Sequence, residues 1–221
     1  MTTTKAYKGL PMEGMIATWY AKTTQKDLKR HKGMAKQMAE KIPPYGKVLE
    51  IAPGPGHFCI ELAKLGDHQI TGLDISKSFV EIARRNAAEA GLKIDFRQGN
   101  ASAMPFADNT FDFTFCQAAF KNFSEPVKAI AEMYRVLRPG GLSVISDLRR
   151  DATAEEIERE IQGMRIGPIN QFLVRWTFQN MLLKSAYSVE EMRSMVAQTP
   201  FREARITVDG VGFQVWLEKK S

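Results

Sequence analysis

The chain has 221 residues and a mass of 24.9 kDa, with 44% hydrophobic and 25% charged residues. That composition excludes disorder, collagen and coiled coil, and the length suits one α/β domain with additions. Cys59 and Cys116 are the only cysteines, too few for a disulfide framework or a paired-cysteine metal site. No window approaches the roughly 18 apolar residues of a bilayer span, and the first 20 residues lack a signal-peptide core, so a cytoplasmic setting is expected. The net charge of +6 has an address: residues 1–41 carry nine of the 31 Lys/Arg and three of the 25 Asp/Glu, and the remaining 180 residues are balanced. Such a segment reads first as the solvated face of an amphipathic helix, and second as a device that steers an anionic substrate.

In chain order, residues 12–41 read as helical, with Leu28, His31, Ala35, Met38 and Ala39 on one face. After the Pro43-Pro44-Tyr45-Gly46 breaker, the apolar run Lys47–Ala52 predicts a buried strand. Gly54-Pro55-Gly56 turns the chain into a helix over His57–Leu65, with Phe58, Leu62 and Leu65 facing inward. Gln69–Leu73 is a second strand; Ser76 caps a helix with Phe79, Ile82, Ala83, Asn86, Ala87 and Ala90 inward, and Gly91 ends it. Lys93–Arg97 and Phe111–Cys116 are the third and fourth strands. Ser124 is expected to cap a helix with Pro126 in its first turn and an inward stripe of Val127, Ile130, Ala131, Tyr134 and Leu137. Arg138-Pro139-Gly140-Gly141 closes that helix ahead of a fifth strand, Leu142–Ser146.

Residues 152–199 form a helical insertion with capping boxes at Thr153…Glu156 and Ser188…Glu191. The runs ARITV and FQVWLEK around Asp209–Gly212 predict an antiparallel hairpin. The expected fold is therefore α/β: a doubly wound, mostly parallel, Rossmann-like sheet ending in an antiparallel C-terminal hairpin, with helices on both faces. Its parts are a helical cap (1–45), a core (46–147), a helical insertion or lid (148–199) and the hairpin (200–221), all within one domain.

The first strand–turn–helix carries the chemistry. Small residues at Ala52, Gly54 and Gly56 admit a ligand to the backbone where the next helix presents its N-terminus. Asp74 follows Gly54 by 20 residues, the place for an acid that accepts from both ribose hydroxyls of a nucleoside cofactor. A dinucleotide fingerprint would need a small residue where Cys59 stands. Glu50, at the end of the strand, makes little sense beside a pyrophosphate and good sense near the cationic methionine end of S-adenosylmethionine.

Over residues 46–147 the chain resembles the class I S-adenosylmethionine-dependent methyltransferases, in the small-molecule branch similar to methyltransferase domain type 11. Glu50-x-Ala52-x-Gly54-x-Gly56 matches the acid-plus-glycine motif, with Ala52 in place of the usual first Gly. The resemblance implies that Asp74 holds the ribose, Ile75 packs on adenine, and the Asn100 carbonyl with the Ala101 N–H reads the adenine edge, where an acid is more usual at 100. Pro105-Phe106…Phe111-Asp112 and Arg135–Gly141 are family signatures of structural type. Lys121-Asn122 is similar to the Arg-Asn pair of quinone-biosynthesis C-methyltransferases. Enzymes that methylate amino groups of bases carry an Asn/Asp-Pro-Pro-aromatic element after strand four; this chain has none there, and Pro43-Pro44-Tyr45 is a decoy.

The cofactor expected is S-adenosylmethionine, released as S-adenosylhomocysteine, and the acceptor is a small molecule whose reacting atom the residues do not name. Asp147, at the end of the fifth strand, is the first candidate for a base or acceptor-binding group, with Lys121, Asn122 and Gln117 beside it. A cap for the following turn is its equal alternative. His57 reads as packing, because a helix N-terminus disfavours its cation. The resemblance makes Trp19-Tyr20 part of a lid, with Tyr20 at the methionine carboxylate or in the core. Arg149, Arg150 and the cluster Phe172, Arg175, Trp176 and Phe178 either line an apolar acceptor pocket or form an ordinary packed face with solvated arginines. Met164, Met181, Met192 and Met195 fit core filling. Two competing functions are an RNA methyltransferase that uses the basic segment as a phosphate-binding arm, and a non-catalytic S-adenosylmethionine-binding protein.

Overall fold

The computed structural model describes residues 7–8, 12–24, 28–164, 167–177 and 182–220; Lys5, Lys26, Phe178 and Met181 lie outside them. Helices α1 (Gly14–Thr24) and α2 (Leu28–Ala39) come first. Strands β1 (Lys47–Ile51), β2 (Gln69–Asp74), β3 (Asp95–Gln98), β4 (Phe111–Gln117) and β5 (Leu137–Leu148) then alternate with α3 (His57–Ala63), α4 (Lys77–Glu89) and α5 (Pro126–Val136). Four further helices follow: α6 (Ala154–Gly163), α7 (Pro168–Thr177), the single turn α8 (Leu183–Ser185) and α9 (Val189–Ala197). Strands β6 (Arg205–Asp209) and β7 (Gly212–Glu218) complete a seven-stranded sheet in the order β3-β2-β1-β4-β5-β7-β6. The first five are parallel, and β7 runs antiparallel to both neighbours. The expected doubly wound sheet with a terminal hairpin is the one observed.

Side-chain alternation along the strands explains the two helical layers. Val48, Phe113, Phe115 and Val144 meet α2, α3 and α4 on one face. Leu49, Ile51, Cys116 and Ile145 meet α5 and α9 on the other. Burying each such side chain stabilises the fold by about 1.5–3 kcal/mol. Because strand order reverses between β1 and β4, their carboxyl ends leave a crevice between them, the place where open α/β sheets hold ligands. Among the described residues, no helix is long and apolar enough to cross a membrane.

Local signals held at several places. Ser76 accepts from the Phe79 amide, both capping boxes form, and Gly210 turns the hairpin with φ +49°. Arg135 bonds Glu132, Asp108 and the carbonyls of Met104 and Phe106, while Arg138 pairs with Asp112; this signature is structural, as expected. Others moved. Helix α3 stops at Ala63, leaving Leu65 43% exposed. Pro126 takes the first helical position, so Glu125 rather than Ser124 precedes α5, and the buried line is Ala129, Ile130, Met133 and Val136. The Arg138–Gly141 segment belongs to β5 as a bulge: between the pairs Phe111–Leu137 and Phe113–Leu142, β5 advances five residues against two on β4. Met192 and Met195 fill the core, whereas Met164 is exposed.

Candidate functional site

The turn after β1 is left-handed at three residues: Ala52 (φ +55°), Gly54 (+54°) and Gly56 (+80°). An alanine held there costs roughly 1–2 kcal/mol. A second left-handed alanine, Ala118 (φ +55°), follows β4, so strain sits on both sides of the crevice, as it does at ligand sites. The two glycines serve different ends. A Cβ on Gly54 would meet nothing within 4 Å, whereas one on Gly56 would strike Phe96 at 2.9 Å and Ala83 at 3.0 Å. Gly54 therefore opens the backbone to a ligand, and Gly56 lets α4 and β3 pack. The Asn86 amide donates to the Pro55 carbonyl at 2.9 Å and holds the loop.

Asp74 ends β2 beneath this turn. Its carboxylate accepts from the Gly54 amide at 3.0 Å and the Ser76 amide at 2.9 Å, and burial pushes its pKa up to about 6. Glu50 lies on the α3 face of β1, 3% exposed, and accepts from the Cys59 amide at 3.2 Å and the Cys59 thiol at 2.8 Å. Burial, with a smaller push from Asp74, raises its pKa to about 7. Glu50, expected near the cationic methionine end of the donor, braces the start of α3 through Cys59. Among the described residues neither acid has a cationic partner. Two buried carboxylates without a counter-charge, under a turn open at Gly54, fit a cationic nucleoside and disfavour a pyrophosphate.

Ile75 is 37% exposed beside Asp74, available to an adenine face. Asn100 uses its side-chain carbonyl locally, accepting from the Ser102 amide at 2.9 Å, so only its second lone pair remains for a ligand. Ala101 packs against the core. Gln117 closes β4, half-buried, its backbone paired with Ser146.

A short 3-10 turn, Phe120–Asn122, follows β4 and aims Lys121 at the end of β5. The Lys121 ammonium bonds Asp147 at 2.8 Å and the Ala118 carbonyl at 2.7 Å, and Asp147 also accepts from the amides of Lys121 (3.0 Å) and Leu148 (2.8 Å). Both side chains are buried, so the pair is neutral and internally complete. Asn122 is half-buried beside it and accepts from the Lys8 amide through its backbone carbonyl.

That last contact belongs to a set no local pattern announces. Tyr7 bridges to Phe123, and the Lys8 ammonium donates to the Tyr187 hydroxyl at 2.6 Å. Burial raises the Tyr7 phenol pKa, and Tyr20, Asp74 and Asp147 raise it further. At the other side, the Met12 carbonyl accepts from the Ser76 hydroxyl at 2.6 Å, and Glu13 accepts from the amides of Lys77 and Ser78, both at 3.0 Å. The partners lie 64 to 179 residues away in sequence; only the lack of an acid in the first turn of α4, made good by Glu13, could have hinted at them.

Tyr20 packs its ring edge-on against Phe79, and Trp19 is 66% exposed. His57 packs as expected, between Ala21 and the His31 ring, and burial lowers its pKa. The insertion departs from both readings made of it. Arg175 pairs with Glu158 of α6, while Phe172 and Trp176 turn outward. Arg149 is buried, bonding Glu156 and the Gly210 and Asp151 carbonyls, and Arg150 pairs with Glu191; both tie insertion helices down rather than line a pocket.

Comparison with known proteins agrees with this geometry. Residues 49–145 match the methyltransferase domain family. A demethylmenaquinone methyltransferase of Deinococcus radiodurans is 38% identical over 100 residues, 45% of this chain and 42% of the relative. A ubiquinone/menaquinone biosynthesis C-methyltransferase of Bdellovibrio bacteriovorus is 40% identical over 96 residues, 43% and 41%. The chain thus spans about two fifths of the length of these curated relatives. A crystal structure from Methanococcus maripaludis superposes with a TM-score of 0.78, covering 100% of this chain and 98% of that one at 22% identity, which speaks for the fold alone. A turn open at Gly54 and an acid at the end of β2 fall within the segment, residues 49–145, that matches the methyltransferase domain family.

Proposed function

We propose that the chain is a cytoplasmic S-adenosylmethionine-dependent methyltransferase with a small-molecule acceptor, releasing S-adenosylhomocysteine. One observation carries the reading: the turn open at Gly54 stands over two buried carboxylates, Asp74 and Glu50, that lack a counter-cation among the described residues. The donor, when bound, supplies an already activated methyl group and a positive charge. The chain's own work is then to bind, orient and exclude water.

Asp74 accepts from the ribose hydroxyls with the lone pairs that its two backbone donors leave. Ala52 and Gly54 admit the methionine moiety, Gly56 keeps the loop in shape, and Ile75, Asn100 and Ala101 border the adenine. Tyr20 and Gln117 flank the methionine end from α1 and β4. With three N–H donors already on it, Asp147 anchors Lys121 and is no open base. Two of the three ammonium protons of Lys121 are engaged, and the third serves an acceptor oxygen beside Asn122. The names of the relatives favour a quinone-like ring, in which a hydrogen bond to a phenolate oxygen holds the neighbouring carbon toward the methyl group.

A thermal-shift panel tests the cofactor: a ligand at 100 times its Kd stabilises by about 2.7 kcal/mol. S-adenosylmethionine and S-adenosylhomocysteine should raise the midpoint and a nicotinamide dinucleotide should not; the reverse ends the proposal. Transfer of a labelled methyl group to soluble demethylated quinol analogues tests the acceptor. Binding without transfer to any metabolite fraction would leave a binding protein only.

A further inference from the structure

The cap carries a surface that methyl transfer does not use. Helix α1 is apolar on two sides. Ala17, Tyr20 and Ala21 pack against Phe79 and Ile82 of α4, while Met15, Ile16 and Trp19 face outward, 89%, 45% and 66% exposed. A surface helix ordinarily turns polar residues to water on that side. Positions 15, 16 and 19 share one stripe at helical spacing, and exposed Lys22 extends it.

A basic cluster adjoins the stripe. His57 donates to the Ala21 carbonyl of α1, and its ring lies 5.5 Å from that of His31 on α2, so the end of one helix meets the start of the next. From there Lys29, Arg30, Lys32 and Lys36 stand exposed along α2. Glu13 is turned to the amides of α4, which leaves Glu40 as the outward acid of α1, α2 and the residues flanking them among the described residues of 12–40.

We propose that this face docks the protein on a bilayer surface containing anionic lipid. Met15, Ile16 and Trp19 enter the interface, and the α2 cations meet the headgroup phosphates. The charge selects an anionic partner, and the apolar stripe selects among anions: a nucleic-acid backbone would engage the lysines and leave Met15 and Ile16 in water. The cap also crosses the carboxyl edge of the sheet, so a docked molecule presents its crevice toward the membrane. The inference is independent of the transfer reading.

Flotation of the full chain with phosphatidylcholine vesicles, with and without phosphatidylglycerol, tests it. Binding should need phosphatidylglycerol and weaken with salt. Met15→Asp should lower partitioning by about tenfold, and the double change Lys29→Glu with Lys32→Glu by about 30-fold, both with unchanged thermal midpoints. Should the double change shift the midpoint, Lys36→Glu replaces it. Absence of wild-type binding to either vesicle overturns the proposal. So does Met15→Asp binding as wild type does, or retention by single-stranded RNA but not by vesicles. S-adenosylmethionine thermal shifts on the same samples keep the two readings apart, since neither result depends on the other.

Discussion

The two sides of the crevice solve the problem of buried charge in opposite ways. Between β1 and β2, Glu50 and Asp74 are buried without a cation among the described residues, and both pKa values are pushed up, to about 7 and about 6. Between β4 and β5, Asp147 is just as buried, but Lys121 neutralises it at 2.8 Å. The first side is incomplete until a cation arrives; the second is complete and asks only for a polar acceptor. On the proposed function, that asymmetry gives the donor the first side and the acceptor the second.

The largest expected effect attacks the complete side. Lys121→Met strands the Asp147 carboxylate and should cost about 3–5 kcal/mol in denaturant unfolding. Adding Asp147→Leu should recover most of it; a single-variant cost below about 1 kcal/mol would erase the contrast. On the incomplete side, Asp74→Ala should weaken S-adenosylmethionine about 100-fold by calorimetry, through lost charge-assisted bonds. Gly54→Ala and Gly56→Ala sharpen the distinction within the turn. The first should leave a folded protein, about 1–2 kcal/mol less stable from backbone strain, that does not bind the donor. The second should lose about 1–3 kcal/mol by overpacking against Phe96 before any ligand is added.

The smallest effect is on pH. Folded Glu50 and Asp74 hold protons more tightly than they do unfolded, so the free protein should lose stability as pH rises from about 4 to about 7. A bound cation favours the ionised forms and releases protons, so donor affinity should rise over the same window. Thermal midpoints should therefore fall from pH 5 to 7.5 in the free protein and stay nearly level with saturating donor. Parallel slopes would mean that the donor's charge lies elsewhere.

What was legible in the chain was local. Gly54 and Asp74 are 20 residues apart but stand at the carboxyl ends of adjacent parallel strands, Gly54 in the turn after β1 and Asp74 at the end of β2, and strand-turn-helix order alone brings them to a 3.0 Å contact. The capping boxes are legible for the same reason, because each is complete within four residues. Ser124 misled because a hydroxyl before a helix looks like a cap wherever it stands, and only Pro126 sets the register. The Lys121–Asp147 pair was seen as two separate candidates, since its closure depends on the pairing of β4 with β5. Tyr7, Lys8 and Glu13 carry no signal at all in their neighbours, and their roles exist only after the sheet has formed.

The position of β7 has a consequence for biosynthesis. It is the later strand of its hairpin yet the inner one, seated between β5 and β6 along seven residue pairs with β5. Until residues 212–218 leave the ribosome, the hydrogen-bonding rim of β5 stays bare beside a nearly finished core. Nascent chains arrested before that point should clump with one another or recruit chaperones, and release of a few more residues should end the hazard.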